Sequence, residues 1–124
     1  MKMPKPDDVV IARRAEIIKA MQAIVPGEGV NFDETELRAF ECDGLMAYRQ
    51  LPMIVVLPEN TEHVSKILKY SHENDVKIVP RGAGTGLSGG ALPLADGVTI
   101  GFGKLNRVLD IDVAVSYTHL TLPT

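Results

Sequence analysis

Cysteine is almost missing from this chain: Cys42 stands alone, which excludes an internal disulfide and fits a reducing compartment. Long apolar runs are missing too. Nothing approaches the ~18 consecutive apolar residues of a membrane-spanning helix, and the opening MKMPKPDD has no apolar leader core. Cytoplasmic residence without a membrane span is the resulting expectation. A charge excess of one sign is also lacking, since net charge is −3 with acids and bases interspersed. That argues against nucleic acid or an anionic membrane as the main partner, and it means an anionic ligand must be held locally.

Metal and hydrolase patterns are absent as well. His63, His72 and His119 sit in no H-E-x-x-H pattern and have no cysteine nearby. The acids Asp33, Glu34, Glu36, Glu41 and Asp43 lack metal-ligand spacing and read as a solvated face. Ser88 has no G-x-S-x-G elbow around it. Neither an internal repeat nor a low-complexity segment is visible. What is present is globular: 124 residues, 45% hydrophobic and 23% charged, enough for one domain or a piece of one.

The most informative stretch is 81–90, RGAGTGLSGG, in which Gly82, Gly84, Gly86, Gly89 and Gly90 make up half the residues. Such a run can turn several backbone N–H groups toward one point and form a concave anion site. Arg81, Thr85 and Ser88 add a cation and two hydroxyls, and Pro80 precedes them. The pyrophosphate of a nucleotide cofactor is the expected guest. Gly84, Gly86 and Gly89 also spell G-x-G-x-x-G. The dinucleotide fingerprint, however, needs a helix opening inside the motif, and Gly90, Ala91, Leu92 and Pro93 cannot continue one. A nicotinamide-binding Rossmann domain is therefore disfavoured. No lysine follows in the Walker arrangement, so the nucleoside-triphosphate loop fails too.

Around this loop the chain reads as alternating helices and strands. Asp7 and Asp8 can cap a helix over 9–24, with Ile11, Ile17, Ile18, Met21 and Ile24 on one face. A short strand is expected over 30–32, then a short helix over 34–39 capped by Asp33. The run MIVVL over 53–57 predicts a strand buried on both faces, stopped by Pro58. Asn60 or Thr61 caps a helix running to Glu73, with Val64, Ile67, Leu68 and Ser71 inward and Asn74 as a left-handed C-cap. The next strand is expected over 76–79, closed by Pro80. This βαβ unit puts the glycine loop at the carboxyl end of a strand, where open α/β sheets bind ligands. Asp96 and Gly97 then turn into a half-buried strand in which Val98, Ile100 and Phe102 alternate with Thr99 and Gly101. Another short strand is expected over 108–111.

Two segments carry a family likeness: ECDGLMAYRQLPMIVVLPENTEHV and PRGAGTGLSGGALPLADGVTI. Over about 10–112 the chain resembles the FAD-linked glycolate oxidase and D-lactate dehydrogenase family, which carries a p-cresol methylhydroxylase-type (vanillyl-alcohol oxidase-type) FAD domain. An FAD-domain reductase of cell-wall precursor synthesis shares that fold, but its loop pattern matches less well. The resemblance implies an α+β fold, with the N-terminal helix and first βαβ subdomain of the FAD-binding domain present and the remainder truncated. It implies cofactor contacts from Pro80, Arg81, Gly82, Ala83, Gly84, Thr85, Gly86, Leu87, Ser88, Gly89 and Gly90, with Val56, Leu57 and Pro58 beside the dinucleotide.

Some relatives tether flavin through a histidine in this loop. No histidine lies between His72 and His119, so the expectation is non-covalent FAD. The implied reaction is hydride transfer from the α-carbon of a D-2-hydroxy acid, with electrons leaving through an iron–sulfur partner subunit, a quinone or a cytochrome. The catalytic groups would lie in a C-terminal domain, so none is assigned. The implied organisation is an N-terminal helical segment over 1–48, a partial FAD-binding domain over 49–114, and a non-native tail over 115–124. A non-catalytic nucleotide-binding or interaction module is the alternative.

Overall fold

A computed structural model describes residues 3–42, 49–86, 89–108 and 111. The Asp7 carboxylate accepts from the Val9 N–H at 2.9 Å and starts α1 (Asp8–Ala12). The helix expected over 9–24 is in fact two, because the backbone breaks at Arg13 before α2 (Arg14–Ile24). The break serves tertiary hydrogen bonds. Arg13 Nη2 donates to the Asn74 carbonyl at 2.7 Å and Arg14 Nη2 to the Phe32 carbonyl at 2.6 Å.

Strand β1 (Val30–Asn31) follows, then α3 (Glu34–Leu37), whose cap Asp33 accepts from the Thr35 N–H, and a 3-10 turn over Arg38–Phe40. Next come β2 (Ile54–Val56), α4 (Thr61–Glu73), β3 (Lys77–Arg81) and β4 (Gly97–Gly101). Asn60 caps α4 by accepting from the His63 N–H at 2.8 Å. Its C-terminus differs from the sequence expectation. Asn74 keeps a negative φ of −114° and closes the last turn onto the Tyr70 carbonyl, and Asp75, at φ 54°, takes the left-handed position. Ile67 and Ser71 form the buried stripe, whereas Leu68 is exposed. One residue beyond Ile67 is a rotation of about 100° around a 3.6-residue helix, which carries Leu68 off the inner face.

The sheet has the order β1-β2-β4-β3. Strands β2, β4 and β3 are parallel, with Val55↔Thr99 and Val79↔Thr99 in register, and β1 is antiparallel to β2. Thus β4 is inserted between the two strands of the βαβ unit. It is buried at every residue, not half-buried as its alternation suggested. It is paired on both sides, and small residues on its second face let neighbours close over it. A Cβ on Gly97 would lie 3.1 Å from Leu94 Cβ, and one on Gly101 would lie 2.7 Å from Leu57 Cδ2.

Pro80 does not end β3 but lies within it, opposite Ile100. At the end of the described sheet, its missing N–H costs no ladder bond. Val108 and Ile111 are exposed and in no strand, and 109–110 of that expected strand lie outside the described residues, as does the tail 115–124.

Ile17, Met21 and Val25 pack into one cluster with Ile54, Val56, Ile67, Val98 and Ile100. The N-terminal helices and the sheet therefore share a core.

The amino end of the sheet is pinned by Asp96, 2% exposed, which accepts from Lys77 Nζ at 2.6 Å and from the Asp7 N–H at 3.0 Å. Burial pushes its pKa up, but the Lys77 hydrogen bond and the Asp7 N–H outweigh it and hold the carboxyl below its ordinary 3.8. This stabilisation is complete above pH 3.8 and is lost as pH falls through the lower folded value. Asp96→Asn is expected to cost about 1–3 kcal/mol near neutrality and to flatten the acid limb of a melting-temperature profile. Parallel melts across the acid range check both effects.

Candidate functional site

Because β2, β4 and β3 are parallel, their carboxyl ends lie at one end of the sheet. The connections leaving there are tied together. The Phe102 N–H donates to the Arg81 carbonyl at 3.1 Å, and Lys104 Nζ lies 3.6 Å from Glu59 Oε1. Leu57 and Pro58, following β2, run into the capped start of α4 at this same end. Phe40 leans over β4, its Cε1 3.6 Å from where a Gly101 Cβ would stand.

The glycine loop leaves β3 at this end. Gly84 (φ 74°) and Gly89 (φ 78°) adopt backbone conformations that L side chains rarely reach, so the turns require glycine. Positions 82, 86 and 90 serve a different purpose: among the described residues, a Cβ on any of them would meet nothing within 4 Å. Among the described residues, no protein oxygen accepts from the N–H groups of 82–86, 89 and 90. The Leu92 N–H donates to the Gly89 carbonyl at 3.2 Å and closes the loop's exit. No helix stands between β3 and β4 among the described residues, in keeping with the rejection of a Rossmann fingerprint. Backbone N–H groups of a glycine-rich turn that meet no protein acceptor among the described residues have the donor chemistry of an anion cradle.

The predicted site residues fall into three groups. Pro80, Gly82, Ala83, Thr85, Gly86 and Gly90 are exposed, and Gly84 and Gly89 are half-buried turns. Leu87 and Ser88 lie outside the described residues. Arg81 is turned inward. Its Nη1 donates to the Cys42 carbonyl at 2.5 Å, its guanidinium carbon sits 5.4 Å from the Phe40 ring centroid, and the group lies where a Gly84 side chain would be. Sequence reasoning missed Phe40 and the Cys42 carbonyl, since nothing local links them to residues so far along the chain. Among the described residues no cluster of His, Cys, Asp and Glu could hold a metal, and no helix is long and apolar enough to cross a membrane.

Residues 52–120 match the family model described as an FAD binding domain, and the chain belongs to that family of FAD-binding domains. FAD is the cofactor such a domain binds, and the free loop amides fit its pyrophosphate. Among individual proteins, the chain is 46% identical over 99 residues to glycolate oxidase subunit GlcD of Escherichia coli (strain K12), covering 80% of this chain and 20% of that protein. It is 37% identical over 111 residues to the D-lactate dehydrogenase of Archaeoglobus fulgidus, covering 86% of this chain and 24% of that protein. The chain thus spans about a fifth of the length of these curated relatives. Its fold matches p-cresol methylhydroxylase with a TM-score of 0.70 at 18% identity, over 89% of this chain and 22% of that one. The α+β architecture is therefore that of the p-cresol methylhydroxylase-type FAD-binding domain.

Proposed function

We propose that this chain supplies the pyrophosphate-holding part of an FAD-dependent enzyme that oxidises a D-2-hydroxy acid, glycolate or D-lactate, to the 2-oxo acid. The observation that carries the reading is a glycine loop at the carboxyl ends of three parallel strands whose N–H groups meet no protein acceptor among the described residues. The names of the relatives, a glycolate oxidase subunit and a D-lactate dehydrogenase, support the substrate class. FAD, when bound, supplies the hydride acceptor.

The chain's own residues bind and orient. The N–H groups of Gly82, Ala83, Gly84, Thr85, Gly86, Gly89 and Gly90 would hold the pyrophosphate, with the Thr85 hydroxyl beside them. Pro80 and Arg81 shape the entry, Leu87 and Ser88 complete the loop, and Val56, Leu57 and Pro58 flank the dinucleotide. With no histidine between His72 and His119, the flavin is held non-covalently. The groups that take the substrate's hydroxyl proton lie in the remainder of a longer, cytoplasmic protein, which passes electrons to an iron–sulfur partner subunit, a quinone or a cytochrome. The relative named as a subunit supports a partnered assembly.

The full-length protein is expected to purify with one FAD, released by denaturation, that bleaches anaerobically with glycolate or D-lactate. Residues 1–124 alone are expected to lose flavin on gel filtration. Flavin that is absent from the full-length protein, or unaffected by every 2-hydroxy acid, would favour the non-catalytic nucleotide-binding module instead.

A further inference from the structure

The loop's only arginine is not spent on the open side of the cradle, and its position is specific. Arg81 is the last residue of β3, and its guanidinium makes three contacts at once. Nη1 donates to the Cys42 carbonyl, the cation lies over the Phe40 ring, and the group fills the space beside Gly84 that any side chain there would need. Gly84 therefore has two reasons to lack a Cβ: its φ of 74° and the guanidinium packed against it. Phe40 in turn leans over Gly101 at the end of β4. Together these contacts run from the centre of the sheet, through the segment 38–42, to the turn of the glycine loop.

We propose that Arg81 is a positioning residue: it props the Gly84 turn so that the loop amides converge before ligand arrives, and it does not itself neutralise the phosphates. The inference rests on the FAD reading for its ligand, but not for its geometry. Lysine cannot replace the planar fork that bonds a carbonyl on one edge and stacks on a ring with its face. Phe40 shares the energy of the prop, although it lies outside the loop. A preformed loop avoids an ordering cost on binding, so loss of the prop appears as weaker affinity.

The test is a double-mutant cycle on the full-length protein, with FAD affinity measured by fluorescence quenching at several salt concentrations. Arg81→Met, Arg81→Lys and Phe40→Leu are each expected to weaken FAD about tenfold, equivalent to ~1.4 kcal/mol. The Arg81→Met/Phe40→Leu double variant should be no weaker than the worse single, because Phe40 acts on the loop through the guanidinium that Arg81→Met has already removed. The salt dependence should match wild type in all of them. A cation touching the pyrophosphate would give the opposite pattern: Phe40→Leu at wild-type affinity, and a flatter salt dependence in Arg81→Met. That pattern would overturn the proposal.

Backbone NMR order parameters over 82–86 in flavin-free protein supply a readout that needs no ligand. They should fall in Arg81→Met and in Phe40→Leu, and unchanged values in both would also overturn the prop. If wild type binds no FAD, the functional reading fails, and the order parameters alone judge Arg81.

Discussion

Gly86→Val in the full-length protein is expected to remove FAD while leaving the melting temperature of the flavin-free protein where it was. The two halves of that result have separate causes. Gly86 has a negative or extended φ, and a Cβ there meets no atom of the described residues within 4 Å, so the fold has no reason to object. If the loop holds the pyrophosphate as proposed, a valine side chain at 86 would occupy part of the space the ligand needs. A loss of at least about a hundredfold in affinity, ~2.8 kcal/mol, is expected. Gly84→Val should lose flavin as well, but with a lowered melting temperature, because it meets both the left-handed backbone and the Arg81 guanidinium. Flavin titration alongside melts of the flavin-free variants separates the two cases. Wild-type flavin content in Gly86→Val would remove the loop from the cofactor site.

Ile100→Ala is expected to be the most destabilising single truncation in this chain. Ile100 is 1% exposed on the interior strand β4, between Val56 and Pro80 in the ladder and packed in the cluster that includes Met21 and Ile67. Deleting that side chain from a core held on both sides leaves a cavity that neighbouring strands cannot close, at a cost of about 2–5 kcal/mol. A globular domain has only about 5–15 kcal/mol in total. Leu68→Ala is the matched control: Leu68 is 46% exposed on α4, and a change within ~0.5 kcal/mol is expected there. Urea titration of both variants, read at the midpoint, makes the comparison. Equal shifts would mean that the sheet order places a different strand at the centre.

That contrast marks where the sequence was legible and where it was not. The caps at Asp7, Asp33 and Asn60 were readable because capping is settled within three residues. The glycine loop was readable for the same reason, since its composition states its backbone needs directly. The insertion of β4 between β2 and β3 was not, because strand order depends on contacts across tens of residues that no local pattern encodes. The same blindness turned β4 from a central strand into an expected half-buried one, and turned Pro80 from an edge residue into an expected stop. The inward turn of Arg81 belongs here too. An arginine beside a phosphate loop suggests a phosphate ligand, and only the position of Phe40 shows that the guanidinium is engaged elsewhere.

The late arrival of β4 also constrains how the chain can be made. A ribosome delivers residues in order, so β2 and β3 both emerge before the strand that joins them exists. Until 97–101 leave the exit tunnel, β2 has only the two-residue β1 beside it and β3 has no neighbour in the described sheet. During that interval two strand edges stand open to other nascent chains. Synthesis that pauses just upstream of Gly97 should therefore promote aggregation, and synthesis that pauses just after β4 clears the tunnel should not.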